Sequence, residues 1–150
     1  MTREKVLSLK YVIYRRSDEM KDSIFDEFQN SVPQLLVRHK SILDVITKYQ
    51  ESSARVNRAI AKAVTNCGCL HIDAKKQSTP SSASLKELTE YMDSHIRGEL
   101  CESCKDVIET ELGANMFYMA AICSLLDMDF YNVMQKEYKK IKTLGIYNML

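Results

Sequence analysis

Four glycines and two prolines are spread through 150 residues, well below the roughly 12% these two residues make up in an average chain. Antiparallel sandwiches and barrels need a turn about every 8–12 residues, usually built on these residues, and a phosphate-cradling loop needs clustered glycines. Neither can be assembled from so few. The expected class is therefore all-α, a helical bundle in a single domain over 1–150. The apolar share is an ordinary 45%, and 21 basic side chains face 20 acidic ones, a balance that excludes a disordered chain. A domain of this size buries about 70% of its unfolded surface, enough for one core.

The net charge of +1 gives no global field to attract a nucleic acid polymer or an anionic bilayer, so neither is an expected partner. The longest apolar stretch, Ala114 to Leu126, is interrupted by Asn115 and Ser124 and falls short of the about 20 residues that cross a membrane. The first residues, Met1-Thr2-Arg3-Glu4-Lys5, do not lead into the apolar run of a secretory signal. Five cysteines in such a chain read as reduced thiols or metal ligands. The expected compartment is the cytoplasm.

Apolar spacing divides the chain into helices. Val6, Leu9, Val12 and Ile13 mark one from about Glu4 to Arg16, and Met20, Ile24, Phe25 and Phe28 mark another from about Glu19 to Val32. Together these form an N-terminal part, 1–32, ahead of the main bundle, 33–150. Ser31 and Pro33 are expected to open one long central helix. Its stripe, Ile42, Ile46, Tyr49, Ser53, Val56, Ile60 and Ala63, alternates spacings of 4 and 3 like a coiled-coil seam. Gly68 should close it, with Leu70 to Asp73 briefly extended. Residues 74–83, rich in Ser, Thr, Lys and Pro, read as a mobile loop. Ser84 with Glu87 is a capping box for a helix that Gly98 would end. A core helix from about Cys101 to Leu126 follows, in which Gly113 is expected to admit a close helix. Asp129 then caps a last helix, lysine-rich towards Gly145.

Four of the five cysteines form two tight pairs, Cys67-Gly68-Cys69 and Cys101-Glu102-Ser103-Cys104, with residues 70–100 between them. Two thiolates on one turn reach a common point about 2.3 Å away, and a second such turn completes a tetrahedron. The second pair also begins a helix, where the backbone favours the thiolate. Four thiolates leave no open position, so the ion would be structural, with zinc first and iron second. His71 and His95 are spare ligands. The alternatives are four ordinary reduced cysteines with packing roles, or a redox pair at Cys101 and Cys104, although no thioredoxin-like βαβ pattern surrounds it. Cys123 lies on an apolar stripe and belongs to the core.

Two further stretches bear on function. Lys48-Tyr49-Gln50-Glu51-Ser52-Ser53-Ala54-Arg55-Val56-Asn57-Arg58-Ala59 resembles the helix that carries an E-E-x-x-E motif in MazG-like all-α nucleoside triphosphate pyrophosphohydrolases. Glu109-Thr110-Glu111-Leu112-Gly113-Ala114-Asn115-Met116-Phe117-Tyr118-Met119-Ala120 resembles that family's later helix with its E-x-x-D motif, and Leu126-Asp127-Met128-Asp129-Phe130 its closing helix. The resemblance spans roughly residues 35 to 145. It implies a MazG-like bundle that converts a nucleoside triphosphate to the monophosphate and pyrophosphate, with Mg²⁺ held by carboxylates and a dimeric or tetrameric assembly.

Glu51 and Glu111 stand in the matching catalytic places, whereas Gln50, Ala54 and Ala114 replace acids of the motifs. Magnesium requires about six oxygen ligands, and each alanine removes both a ligand and a charge. Glu51 can instead pair with Arg55 one turn on. Glu102, Asp106 and Glu109 share a helix face as another acid cluster or a solvated surface. Two functions follow from these residues. One is a Mg²⁺-dependent pyrophosphohydrolase with a weakened site, and the other a non-enzymatic interaction or regulatory module stabilised by zinc. In either, Arg55 and Arg58 beside Lys62 are the candidates for contact with a nucleotide phosphate.

Overall fold

The computed structural model describes residues 24–145. Along the chain come α1 through residues 24–35, α2 Ile42–Lys62, a π-helical turn Ala63–Cys67, β1 Leu70–Ile72, the single-turn α3 Leu88–Tyr91, β2 Ile96–Gly98, α4 Glu102–Leu125 and α5 Phe130–Leu144. The molecule is mostly helical, as its glycine and proline content implied, with one small two-stranded sheet. The first expected helix, Glu4 to Arg16, lies outside the described residues.

The principal unit is an antiparallel hairpin of α2 and α4, which make the largest interhelical contact. Its register is fixed by side chains that meet across it: Ser52 with Asn115, Arg55 with Glu111, and Cys67 with Cys101. At the open end α1 lies over the hairpin. Val32 and Leu36 join Val45, Ala120, Ala121, Cys123 and Phe130 in the core, with Phe25, Phe28 and Phe117 packed around them. The Gln29 amide ties α1 to the α4–α5 turn, donating to the Met128 carbonyl and accepting from the Phe130 N–H, each at 2.7 Å. Asp129 caps α5 by accepting from the Asn132 N–H at 2.6 Å, as its position in the sequence implied.

Four local expectations are corrected. Pro33 lies in the last turn of α1 instead of opening α2; lacking an N–H, it removes a helical hydrogen bond, and α1 ends two residues later. Ser41 precedes the long helix instead. Val45, Ser52, Ala59 and Ala63 form the buried stripe, with Tyr49, Ser53 and Val56 half-buried beside it, so the expected seam is displaced by one residue at Ile46 and Ile60. Ile46 and Ile60 are 46% and 42% exposed. Small side chains let the helices approach, and apolar size alone pointed to the wrong edge.

Only half of the expected capping box forms: the Ser84 N–H and Oγ both donate to Glu87 Oε2, but the Glu87 N–H donates to the Ser84 carbonyl and not to its hydroxyl, and the helix that follows runs only from Leu88 to Tyr91. Residues Ile96–Gly98 pair instead with Leu70–Ile72 as an antiparallel ladder. Gly113 meets no heavy atom within 4 Å of where a Cβ would stand. Residues 74–82 are exposed and carry no helix or strand. Among the described residues, no helix is long and apolar enough to cross a membrane.

Candidate metal centre

At the closed end of the hairpin, three backbone features bring the cysteines together. The last turn of α2 widens into the π-helical turn Ala63–Cys67, a distortion common at functional sites. Gly68 then reverses the chain in a left-handed conformation (φ 74°, ψ 12°) and sends Cys69 towards β1. The ladder sets Leu70 opposite Gly98, so the chain leaving β2 reaches Cys101, the residue before α4, beside the end of α2. Gly98 has φ 84°, and a Cβ there would stand 2.5 Å from the Cys69 carbonyl oxygen. Only glycine permits that approach.

The Sγ atoms of Cys67, Cys69, Cys101 and Cys104 all lie within 4.8 Å of one another, and those of Cys67 and Cys101 are 3.7 Å apart. A tetrahedron with metal–sulfur bonds of about 2.3 Å has edges of about 3.8 Å. The four cysteines can therefore hold a metal ion with small side-chain adjustments. Their protons are unequally held. Hydrogen bonds from the Cys104 backbone and side chain, joined by Cys67, lower the Cys101 thiol to about 7, while the Cys101 side chain pushes Cys104 up to about 12. Cys101 thus ionises more readily than Cys104, whose proton a bound cation would release.

Neither His71 nor His95 joins this cluster, the one group of three or more metal-capable side chains among the described residues. Glu102, Asp106 and Glu109 form no second ligand set there either. Cys123 is 6% exposed, in the core, and burial raises its thiol.

Glu51 and Glu111 are brought near each other, but through a cation. Arg55 donates from one terminal nitrogen to Glu51 Oε1 at 2.7 Å and from Nε to Glu111 Oε2 at 2.9 Å. Lys48 occupies the other Glu51 oxygen at 2.7 Å, and that hydrogen bond, with Arg55 adding to it, holds the carboxyl below the usual carboxylate range. Arg55 and Glu111 line a hollow of about 260 Å³ together with Arg58, Ala59, Lys62 and Val107.

Beside this bridge is a polar knot that sequence reasoning missed. The Asn115 amide donates to Ser52 Oγ and Ser53 Oγ, each at 2.9 Å, while both hydroxyls donate to the Tyr49 carbonyl. Ser52 is fully buried. The available signal was a Ser-Ser pair and a lone Asn in otherwise apolar helix faces. Comparison with protein-family models, with curated proteins and with solved structures finds no match to this chain.

Proposed function

We propose that the chain is a non-catalytic helical interaction module on a MazG-like plan, its hairpin closed by one structural zinc ion on Cys67, Cys69, Cys101 and Cys104. The observation that carries the reading is the bridge of Arg55 to both Glu51 and Glu111. In a pyrophosphohydrolase these acids would offer their oxygens to Mg²⁺. Here a guanidinium takes one oxygen of each, Lys48 takes another of Glu51, and alanines stand at 54 and 114. A divalent cation would have to displace the bridge with about two carboxylates, where a triphosphate site uses several.

Zinc is favoured over iron because a closed set of four thiolates near tetrahedral spacing suits its lack of geometric preference. The reduced thiols that such a site needs agree with a cytoplasmic setting. Homo-oligomerisation, as a dimer or tetramer, is supported by apolar side chains left in solvent on both arms of the hairpin, including Ile46, Ile60, Leu112 and Met116. The hollow beside Arg58 and Lys62 keeps a nucleotide as a candidate ligand.

The deciding experiment supplies NTPs and dNTPs with Mg²⁺ or Mn²⁺ and a coupling pyrophosphatase, and sedimentation is run on the same sample. We expect no phosphate release above buffer and a species heavier than 17.3 kDa. Turnover that Glu111→Gln abolishes would restore the hydrolase reading, and a monomer at micromolar concentration would remove the oligomer.

A further inference from the structure

The sulfurs of the cluster come from both arms of the hairpin, and Cys67 is exposed. Four thiols can pair in three ways. One way joins neighbours, Cys67 to Cys69 and Cys101 to Cys104. The first of these links would close a small ring containing two planar peptides, with little freedom for the Cβ–S–S–Cβ angle of about 90° that a relaxed disulfide requires. Both remaining ways join one arm to the other. Cys67 and Cys101 are one such pair, their sulfurs 3.7 Å apart.

We propose that Cys67 is an oxidation site at which hydrogen peroxide replaces the metal with a disulfide between Cys67 and Cys101. This rests on the metal reading above. A cysteine that ligates a metal is deprotonated, so in the loaded chain Cys67 is a thiolate; it attacks one peroxide oxygen, the O–O bond breaks, the other oxygen leaves as hydroxide and Cys67 becomes a sulfenic acid. The Cys101 thiolate then attacks that sulfur. The S–S bond forms, the S–O bond breaks and a second hydroxide leaves. One hydrogen peroxide is thereby reduced by two electrons as two thiolates are oxidised. An ion left with two thiolates has lost half its ligands and passes to a competing chelator. A second equivalent of oxidant couples Cys69 to Cys104 by the same steps. The hairpin stays shut throughout, because the cross-link spans the same two arms that the metal joined.

The test titrates the metal-loaded full chain with hydrogen peroxide in the presence of a chromogenic zinc chelator and maps unreduced peptides by mass spectrometry. The expected result is about one ion released per chain as the first two thiols disappear, together with a cross-linked peptide pair containing Cys67 and Cys101. Cys123, buried in the core, remains a thiol, and reductant with zinc reloads the site. A first disulfide confined to Cys101 and Cys104, or direct conversion of Cys67 to the sulfinic acid, overturns the proposal. Protein that takes up no zinc overturns the metal reading instead, and peptide mapping of that same chain after peroxide still decides the pairing.

Discussion

Gly68 stands between Cys67 and Cys69 and Gly98 against the Cys69 carbonyl, yet their substitutions should not cost the same. At Gly98 an alanine Cβ would meet the Cys69 carbonyl oxygen at 2.5 Å, on a backbone with φ 84°. The ladder next to Cys69 would have to open, and we expect Gly98→Ala to destabilise by about 3 kcal/mol and weaken metal uptake. Gly68 has φ 74° and no heavy atom within 4 Å of a Cβ position, so alanine there meets only the left-handed penalty of about 1–2 kcal/mol. Gly113 has the same open surroundings inside α4 with no such φ, and Gly113→Ala should stabilise by up to about 1 kcal/mol. Denaturant melts of the three variants rank these effects; a harmless Gly98→Ala would contradict the close approach.

For the α2/α4 pair, register is held by a few polar contacts across the seam. Removing the Asn115 amide leaves the buried Ser52 hydroxyl with its bond to Tyr49 alone. Asn115→Ala should therefore cost about 1–3 kcal/mol, read as a lower urea midpoint at unchanged slope. Here the limits of sequence reading become physical. The cysteine pairs were legible because each pair is local and its spacing suits one ion. The Asp129 cap was legible for the same reason, since it is encoded within one turn. The polar knot was not, because Asn115 and Ser52 are 63 residues apart and neither alone resembles half a site. Strand β2 was missed because three residues, Ile96-Arg97-Gly98, carry no alternation to read, and only their pairing with Leu70–Ile72 gives them form. The seam was displaced because contact at Ala59 and Ser52 depends on smallness, which a search for large apolar residues passes over.

At the scale of the whole molecule, the core and the cluster occupy opposite ends of the hairpin. Val45 and Ala121 belong to the hydrophobic end, while the thiols cap the other. The two ends therefore respond to different agents, one to denaturant and the other to chelator or oxidant. Between β1 and α3 the chain wanders through exposed residues 74–82, but its return is fastened. The ladder joins Ile72 to Ile96, and the Gln77 side chain exchanges two hydrogen bonds with the Asp93 backbone. A protease cut between Pro80 and Ser84 thus severs the chain without severing the fold. The nicked protein should migrate as one particle under native conditions while metal is bound. Chelation should lower its thermal midpoint by more than that of the intact chain, because the two fragments now separate at a concentration-dependent temperature. Equal shifts for cut and uncut protein would mean that the ladder and core alone hold the pieces. In engineering terms the 74–82 segment is an insertion port, a place for a tag, sensor peptide or fluorophore whose attachment leaves the hairpin in register.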